Sequence, residues 1–215
     1  MGARGDEAGS MLTALESIPW SALRHAGGAA GDVPALIRDL LSPSDAVRAQ
    51  AIGELFNTIV HQGTAYEASA CAVPFLQELL SSDETPDRVL IADLLAALAQ
   101  ATSDLEAASH SEAMTALLRD ALRNEGRDFE KELESSRRFV RETKAAVGSQ
   151  LQLLYPYLTC GEAEVRKSVA GALKNYPQRA RETLPLLQQA ASHESNTDVR
   201  GVMEAAIAAL RVGDR

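Results

Sequence analysis

Three stretches of the chain share one motif: SDAVR at residues 44–48, EAEVR at residues 162–166 and TDVR at residues 197–200. In each stretch an acidic residue precedes a Val-Arg dipeptide, and an apolar helical pattern follows. A fourth copy has the dipeptide in reverse order, as Arg88-Val89. We interpret each copy as a turn that opens a helix.

A first, shorter apolar helix precedes each of these stretches and often opens with proline. These first helices begin at Pro34, Pro74, Met114, Gln152 and Pro185, so the unit recurs five times, at steps of 40, 40, 38 and 33 residues. The third unit lacks its Val-Arg pair. Self-similarity at this period is typical of an α-solenoid, which presents a long surface and not a pocket.

The composition also favours helices. Apolar residues make up 46% of the 215 residues but aromatic residues only 4%, so the core must be built from Ala, Leu, Val and Ile. Ala and Leu are strong helix formers, and β-branched runs with period-two alternation are missing. We therefore predict an all-α chain: a right-handed α-solenoid of about five helical pairs with an N-terminal capping helix.

The pattern predicts a single repeat domain. Residues 1–10 are expected to be disordered, residues 11–31 to form an N-terminal cap and residues 32–211 to form the repeat array. A solenoid needs a terminal unit that closes the open side of its stack. The apolar residues expected to do so are Leu12, Leu15, Ile18, Trp20 and Leu23.

The net charge and the cysteine content indicate which kinds of partner and which cellular compartment to expect. The formal charge is −9, which disfavours nucleic acid as a bulk electrostatic partner because such binding depends on Lys and Arg neutralising phosphates. No segment reaches the roughly 18 apolar residues of a membrane span. We expect Cys71 and Cys160 to be reduced thiols and, with no apolar signal segment at the N-terminus, the protein to be cytoplasmic with no membrane partner.

The paired helices, the prolines and the acidic turns before Val-Arg together resemble HEAT repeats, and most closely the short bacterial HEAT-like proteins named after phycobilin lyases. The likeness covers about residues 32–211. It implies binding of other macromolecules along the ridge of second helices, and turn residues that join neighbouring repeats. By this resemblance the expected structural residues are Asp45, Arg48, Arg166, Asp198 and Arg200.

The third unit is the deviant one. Residues 123–144 hold 13 charged residues, seven basic and six acidic, and we predict an exposed helix supported by opposite charges one turn apart. Its apolar side chains form one narrow line. A solvated face is the simplest interpretation of its basic cluster, and the alternative is a partner-binding surface. The cluster consists of Arg137, Arg138 and Arg141.

A second candidate binding site lies at the junction of the first two units, where hydrogen-bonding side chains are crowded together. One interpretation is functional: a binding epitope, or even an acid–base site. The other is structural: a connecting loop whose polar groups form hydrogen bonds with one another and with the helix ends. The candidate residues are His61, Gln62, Thr64, Tyr66 and Glu67.

The sequence predicts no catalytic residue, no cofactor and no metal. His193-Glu194 is the one His-Glu pair, whereas HEAT enzymes that resemble deoxyhypusine hydroxylase bind two irons with several such pairs. HEAT-like alkylpurine DNA glycosylases need a basic concave face with aromatic residues. Here the charges of the second helices balance: Arg48, Arg88, Arg166, Lys167, Lys174 and Arg200 against Glu54, Asp93, Glu164 and Glu204.

These observations predict a non-enzymatic scaffold or adaptor that binds a protein through its second-helix ridge. Its acidity points to a basic partner, for instance a toxin neutralised by a small immunity protein. The alternative is an enzyme acting on modified nucleic acid or on a tetrapyrrole, as a DNA glycosylase, lyase or chaperone-type protein. A neutral or acidic groove favours the protein binder, and the oligomeric state stays open.

Overall fold

A computed structural model describes residues 12–213 of the chain. Within that range the chain is mostly helical, as predicted, and ten α-helices are joined by short 3₁₀ helices and one small hairpin. None of these helices combines the length and the apolar character that crossing a membrane requires. The predicted disorder of residues 1–10 lies outside the described residues.

The α-helices are α1 (Val33–Asp39), α2 (Asp45–Thr58), α3 (Glu67–Ser81), α4 (Arg88–Ala99), α5 (Asp104–Ala108), α6 (Glu112–Asn124), α7 (Phe129–Gly148), α8 (Ala163–Leu173), α9 (Ala180–His193) and α10 (Thr197–Gly213). The 3₁₀ helices span Thr13–Ser17, Trp20–Ala22, His61–Gly63, Leu151–Thr159 and Pro177–Arg179. Strand β1 (Arg24–His25) pairs antiparallel with β2 (Gly28–Ala29).

Short polar side chains set the starts of several helices. The Ser103 hydroxyl accepts a hydrogen bond from the amide of Glu106 at 3.0 Å, and the Asp128 carboxylate accepts one from the amide of Lys131 at 2.9 Å. Each bond satisfies a backbone donor that has no partner inside its own helix. These caps explain why α5 and α7 begin where they do.

Four helices, α2, α4, α8 and α10, pack side by side in chain order, and we call them the second row. The contact between α4 and α8 is extensive and is reinforced by side chains. The amide of Gln100 donates to the Ser168 carbonyl at 3.0 Å, and the amide of Asn175 donates to the Ala99 carbonyl at 3.3 Å. The four Val-Arg and Arg-Val dipeptides of the sequence lie in the first turn of these four helices.

The other side of the fold is the first row, which consists of α1, α3, α7, the 3₁₀ helix at residues 151–159 and α9. Helix α7 packs mainly against α3. The Gln77 amide on α3 donates to the carbonyls of Ala146 and Val147 on α7, at 3.1 and 3.2 Å. The long charged helix is thus a first-row helix.

This arrangement differs from the predicted third unit. The sequence pattern places the helix around residues 123–144 as a second helix between α4 and α8, but α4 contacts α8 directly. Helices α5 and α6 pack on α7 outside both rows, through a small cluster that is separate from the main core. The third unit lacks a Val-Arg pair because, among the described residues, no second-row helix lies between α4 and α8. The small cluster consists of Leu122, Phe129 and Leu133, with Leu105 and Leu118 against it.

The N-terminal cap buries its tryptophan as predicted. Trp20 is 5% exposed, its indole N–H donates to the Leu15 carbonyl at 2.8 Å, and its ring lies 6.2 Å from the ring of Phe75. The prediction of a purely helical chain is wrong for the four residues of β1 and β2. Gly28, at φ 122°, supplies a backbone conformation that a helix cannot use, so the chain turns back as a hairpin.

Candidate functional site

A groove follows the exposed side of the second row between α4 and α8, and we call it the second-row groove. It has a cavity volume of about 490 Å³ and is open to solvent. Its lining combines charged, polar and apolar side chains from all four second-row helices. They are Phe56, Asp93, Ala97, Gln100, Glu164, Lys167, Ser168, Gly171, Lys174 and Val202.

Helix α4 places its few accessible side chains on this groove. Most of α4 is buried, but Leu90, Asp93, Ala97 and Gln100 keep some exposure. Their spacing of three, four and three residues places them on one face of the helix. Beyond its first turn, which keeps Arg88, Val89 and Leu90 partly accessible, α4 therefore offers a partner its groove side.

The charges in the groove cancel. Asp93 and Glu164 are balanced by Lys167 and Lys174, and the Lys167 ammonium lies 3.8 Å from the Glu164 carboxylate. Burial raises the pKa of Asp93, and the nearby charge of Glu164 raises it further, whereas a hydrogen bond from Ser168 opposes the shift. The groove thus has no net charge and contains one half-buried carboxylate.

The floor of the groove depends on a glycine. A Cβ atom on Gly171 would lie 2.5 Å from the side-chain oxygen of Gln100, which is closer than side-chain atoms approach one another. With no side chain at Gly171, the Gln100 amide lies across α8 and donates to the carbonyls of Ala96 and Ser168. This contact holds α4 and α8 close together beneath the groove.

Arginines of the Val-Arg turns join successive second-row helices. Arg48 donates to Asp87, just before α4, at 2.5 Å, to Asp45 at 2.7 Å and to the Ser42 carbonyl at 2.8 Å. Its guanidinium is thereby engaged within the fold. These contacts match the structural role that the family resemblance implies for Asp45 and Arg48.

Arg166 makes the equivalent connection farther along the row. It donates through two nitrogens to the Glu194 carboxylate, at 2.6 and 2.9 Å, and Arg200 donates to the Glu194 backbone carbonyl at 3.2 Å. At Asp198, the backbone amide donates to the side-chain oxygen of Asn196 at 3.0 Å. Arg166 therefore joins two second-row turns as expected, whereas Arg200 bonds within its own turn and Asp198 takes part through its backbone amide.

Glu194 is the carboxylate of the predicted His-Glu pair, and its oxygens are already occupied. The Arg166 guanidinium and the backbone amide of Asn196 together lower its pKa from 4.5 to about 2. His193 lies with its Nδ1 2.9 Å from the Gln189 carbonyl. Among residues 12–213 no three His, Cys, Asp or Glu side chains are grouped so as to hold a metal ion.

The predicted site at the first junction is a closely bonded loop. The backbone amide of Tyr66 donates to the Ser69 hydroxyl at 2.7 Å, which in turn donates to the Ile59 carbonyl at 2.5 Å. Glu67 accepts a bond from the amide of Arg24 at 3.2 Å. Burial raises the pKa of the Tyr66 hydroxyl, and the charge of Asp104 adds to this shift.

Three other residues of this predicted site shape the loop. Gln62 has φ 50°, in the left-handed region, and belongs to the 3₁₀ turn that begins at His61. Thr64 pairs with Thr102 in an isolated bridge, and its buried hydroxyl has no hydrogen-bond partner among the described residues. The hydrogen bonds of Ser69 and the backbone thus shape the connection between α2 and α3.

The predicted basic cluster on α7 is paired with carboxylates. Arg137 lies 3.1 Å from Glu106 on α5, and Arg141 lies 3.0 Å from Glu134. Arg138 lies 3.9 Å from Glu142 and above the ring of Phe139. The side chains of these pairs are 40–65% exposed, so solvent screens their charges strongly.

The two predicted sites are neighbours, and both lie away from the second-row groove. Asp104 on α5 acts on Tyr66, while Ser103, the cap of α5, shares a hydrogen bond of 2.8 Å with Ser136 on α7. No residue of either predicted site is among the described residues that line the groove. The sequence pattern correctly places the four groove charges Asp93, Glu164, Lys167 and Lys174 on second helices, but it does not predict the polar floor. The signal for that floor is the recurrence of small or polar residues every three or four positions along α4, at Asp93, Ala97 and Gln100.

A second cavity of about 480 Å³ lies at the turn between α6 and α7. Three arginines line it, but each already has a carboxylate partner. Arg119 lies 2.5 Å from Glu130, and Arg127 lies 2.9 Å from Glu132. Arg123 lies 2.9 Å from Asp120. This cavity therefore offers an anion less positive charge than its three arginines suggest.

Comparisons with protein-family models, curated proteins and solved structures found no match to this chain.

Proposed function

We propose that this protein is a cytoplasmic, non-enzymatic scaffold of HEAT-like architecture that binds a protein partner through its second row. Two rows of helices support a solenoid: α2, α4, α8 and α10 pack in chain order, and in the first row α3 packs on α1, α7 and the 3₁₀ helix at residues 151–159, which in turn packs on α9. The turn residues Arg48 and Arg166 support the family resemblance because each reaches the following second-row turn. Because the second row contains four helices, the scaffold that we propose has four helical pairs in place of the predicted five, with α5 and α6 as an insertion.

The main observation that supports binding of a protein partner is the second-row groove, which is neutral and open to solvent. Apolar surface from Phe56, Ala97 and Val202 lies beside two lysines and two carboxylates. Protein interfaces combine apolar and polar groups in this way, whereas binding to a nucleic acid backbone requires an excess of positive charge. The formal charge of −9 favours a basic partner, such as a toxin bound by its immunity protein.

The proposal is tested by capture from a lysate of the native host, with three forms of the full chain. The groove variant is Ala97→Arg, which inserts a long charged side chain between α4 and α8. Its matched control is Gln152→Arg, which adds the same charge at an exposed position of the first row. We expect the wild-type chain and the control to retain a protein that Ala97→Arg loses.

Two results contradict the proposal. Equal capture by all three forms shows that the partner binds elsewhere, and recovery of nucleic acid alone excludes a protein partner. Both variants are first checked for the wild-type melting temperature, so that a loss of capture reports binding and not unfolding.

One observation favours the enzymatic alternative. Asp93 is a half-buried carboxylate in a groove, with its pKa raised by burial, and such groups occur at catalytic sites. A base-release assay on alkylated DNA, with Asp93→Asn as the control, separates the two classes. Turnover that Asp93→Asn abolishes would replace the scaffold proposal with a glycosylase.

A further inference from the structure

The second-row groove contains oxygen acceptors that the fold leaves partly unused. The Asp93 carboxylate receives a hydrogen bond from Ser168, and in the described part of the chain no Lys or Arg forms an ion pair with it. About one turn farther along α8, the side-chain oxygen of Gln100 lies beside Gly171. The Gln100 amide nitrogen donates to two backbone carbonyls, those of Ala96 and Ser168, so its oxygen is left as an acceptor.

The charges of the groove cancel in total but not along its length. Glu164 lies one turn before Ser168 on α8, and its charge acts on Asp93. Lys167 lies 3.8 Å from Glu164, so two carboxylates share one nearby ammonium. Lys174 is six residues beyond Ser168, roughly 9 Å along the helix. The end of the groove near Asp93 therefore has an excess of negative charge.

The environment of Asp93 opposes its ionised form. Burial and the charge of Glu164 both raise the pKa of Asp93, and the hydrogen bond from Ser168 alone acts in the other direction. This is the pattern expected for a carboxylate that lacks a cation of its own. A cation placed beside both carboxylates would remove the repulsion between them.

Small and apolar side chains give access to these oxygens. Ala97 and Gly171 line the groove with little or no side chain, and Phe56 and Val202 flank it from α2 and α10. Such a surface accommodates the aliphatic stem of a long basic side chain while its charged end reaches a carboxylate. A guanidinium has five N–H donors in one plane and no acceptor, so it can bond to several separate oxygens at once.

From this match of charge and donors we infer that the second-row groove is a docking site for an arginine of the partner protein. Its guanidinium pairs with Asp93 and Glu164, and its stem lies over Ala97. The Gln100 oxygen accepts a hydrogen bond from the same segment of the partner. The inference rests on the proposed binding function of the groove and adds the chemistry of the group that the groove recognises.

The test is a nuclear magnetic resonance titration of the isotope-labelled full chain with the peptide acetyl-Ala-Ala-Arg-Ala-Ala-amide. The control peptide has citrulline in place of arginine, which keeps the size but removes the charge. We expect the arginine peptide to shift the amide signals of Ser168, Gly171 and Val202, with a dissociation constant on the order of millimolar. The citrulline peptide should bind at least about tenfold more weakly, because it cannot form charge-assisted bonds.

A substitution at Asp93 separates recognition from a purely structural role. Asp93→Asn keeps an oxygen that can accept the Ser168 hydrogen bond but removes the charge. We expect it to weaken binding of the arginine peptide at least about fivefold and to leave the melting temperature unchanged. The matched control is Asp39→Asn, which removes the same charge from an exposed side chain of α1 in the first row and leaves binding unchanged.

Three results overturn the inference. They are an arginine peptide that shifts no groove signal, a citrulline peptide that binds equally well, and an Asp93→Asn chain that binds the arginine peptide like wild type. If the peptide fails but Ala97→Arg still loses a captured protein, the arginine site is wrong and the proposed function stands. Peptide binding at Asp93 with equal capture by all three chains supports the arginine site and contradicts the proposed function.

Discussion

At the scale of single residues, the arginines of the Val-Arg turns connect one part of the second row to the next. The pair of Arg166 and Glu194 is the best buried, with side chains that are 15% and 4% exposed. Two hydrogen bonds between planar groups give this pair a fixed geometry. We therefore expect these residues to affect stability and not partner binding.

Replacing Glu194 with alanine tests this role. Glu194→Ala leaves the Arg166 charge largely buried without its partner, which costs about 3 kcal/mol. For a chain of this size we expect the melting temperature to fall by about 6–12 °C. The control is Glu182→Ala, which removes an exposed partner of Arg179 and changes stability by less than about 1 kcal/mol. An equal effect of both substitutions in thermal unfolding would show that the buried pair adds nothing.

The pair of Arg166 and Glu194 also makes the stability of the folded protein depend on pH. The pKa of Glu194 is about 2 in the folded chain and 4.5 ordinarily, so the carboxylate stabilises the fold fully above pH 4.5. That contribution is lost as the pH falls from 4.5 through 2. In urea unfolding, the difference between wild type and Glu194→Ala is constant at neutral pH and shrinks below about pH 4.5. A difference that does not change with pH would contradict this assignment.

At the scale of elements, α7 shows how a charged helix is held within a row of packed helices. Its buried residues are few, Phe129, Leu133, Thr143 and Val147, and its arginines pair with carboxylates at the surface. The apolar line holds the helix to its neighbours, and the charged face keeps it solvated. Apolar packing thus attaches α7 to its neighbours, and its surface charges make a separate, smaller contribution to stability.

A double substitution separates the two contributions. We expect Arg137→Ala with Arg138→Ala to change the melting temperature by less than about 4 °C, because the two exposed ion pairs together contribute less than about 1 kcal/mol. Leu133→Ala on the same helix is the control and costs about 2 kcal/mol or more, because Leu133 is 6% exposed. A large loss of stability in the double variant would show that the basic cluster is part of the packing.

At the scale of the whole molecule, the main core runs continuously from the cap to α10, so damage at its centre should spread. Leu94 on α4 is fully buried, and Leu94→Asp places an unpaired charge between the rows. We expect this variant to be unfolded in circular dichroism at 25 °C. Leu90→Asp on the same helix is the matched control and retains the wild-type spectrum. A folded Leu94→Asp protein would show that the helices on either side of α4 are stable without the centre of the core.

The sequence alone determined the helical class, the four second-row turns and the burial of Trp20. These features depend on local patterns: apolar periodicity, polar caps and the Val-Arg dipeptides are visible within a few residues. The tertiary structure decided which helices became neighbours. It placed α7 beside α3, left α5 and α6 outside both rows, and brought Asp93 to Ser168 across the second-row groove. Neighbours across a stack come from residues about 70 positions apart, such as Gln100 and Ser168, and no local spacing encodes such a contact.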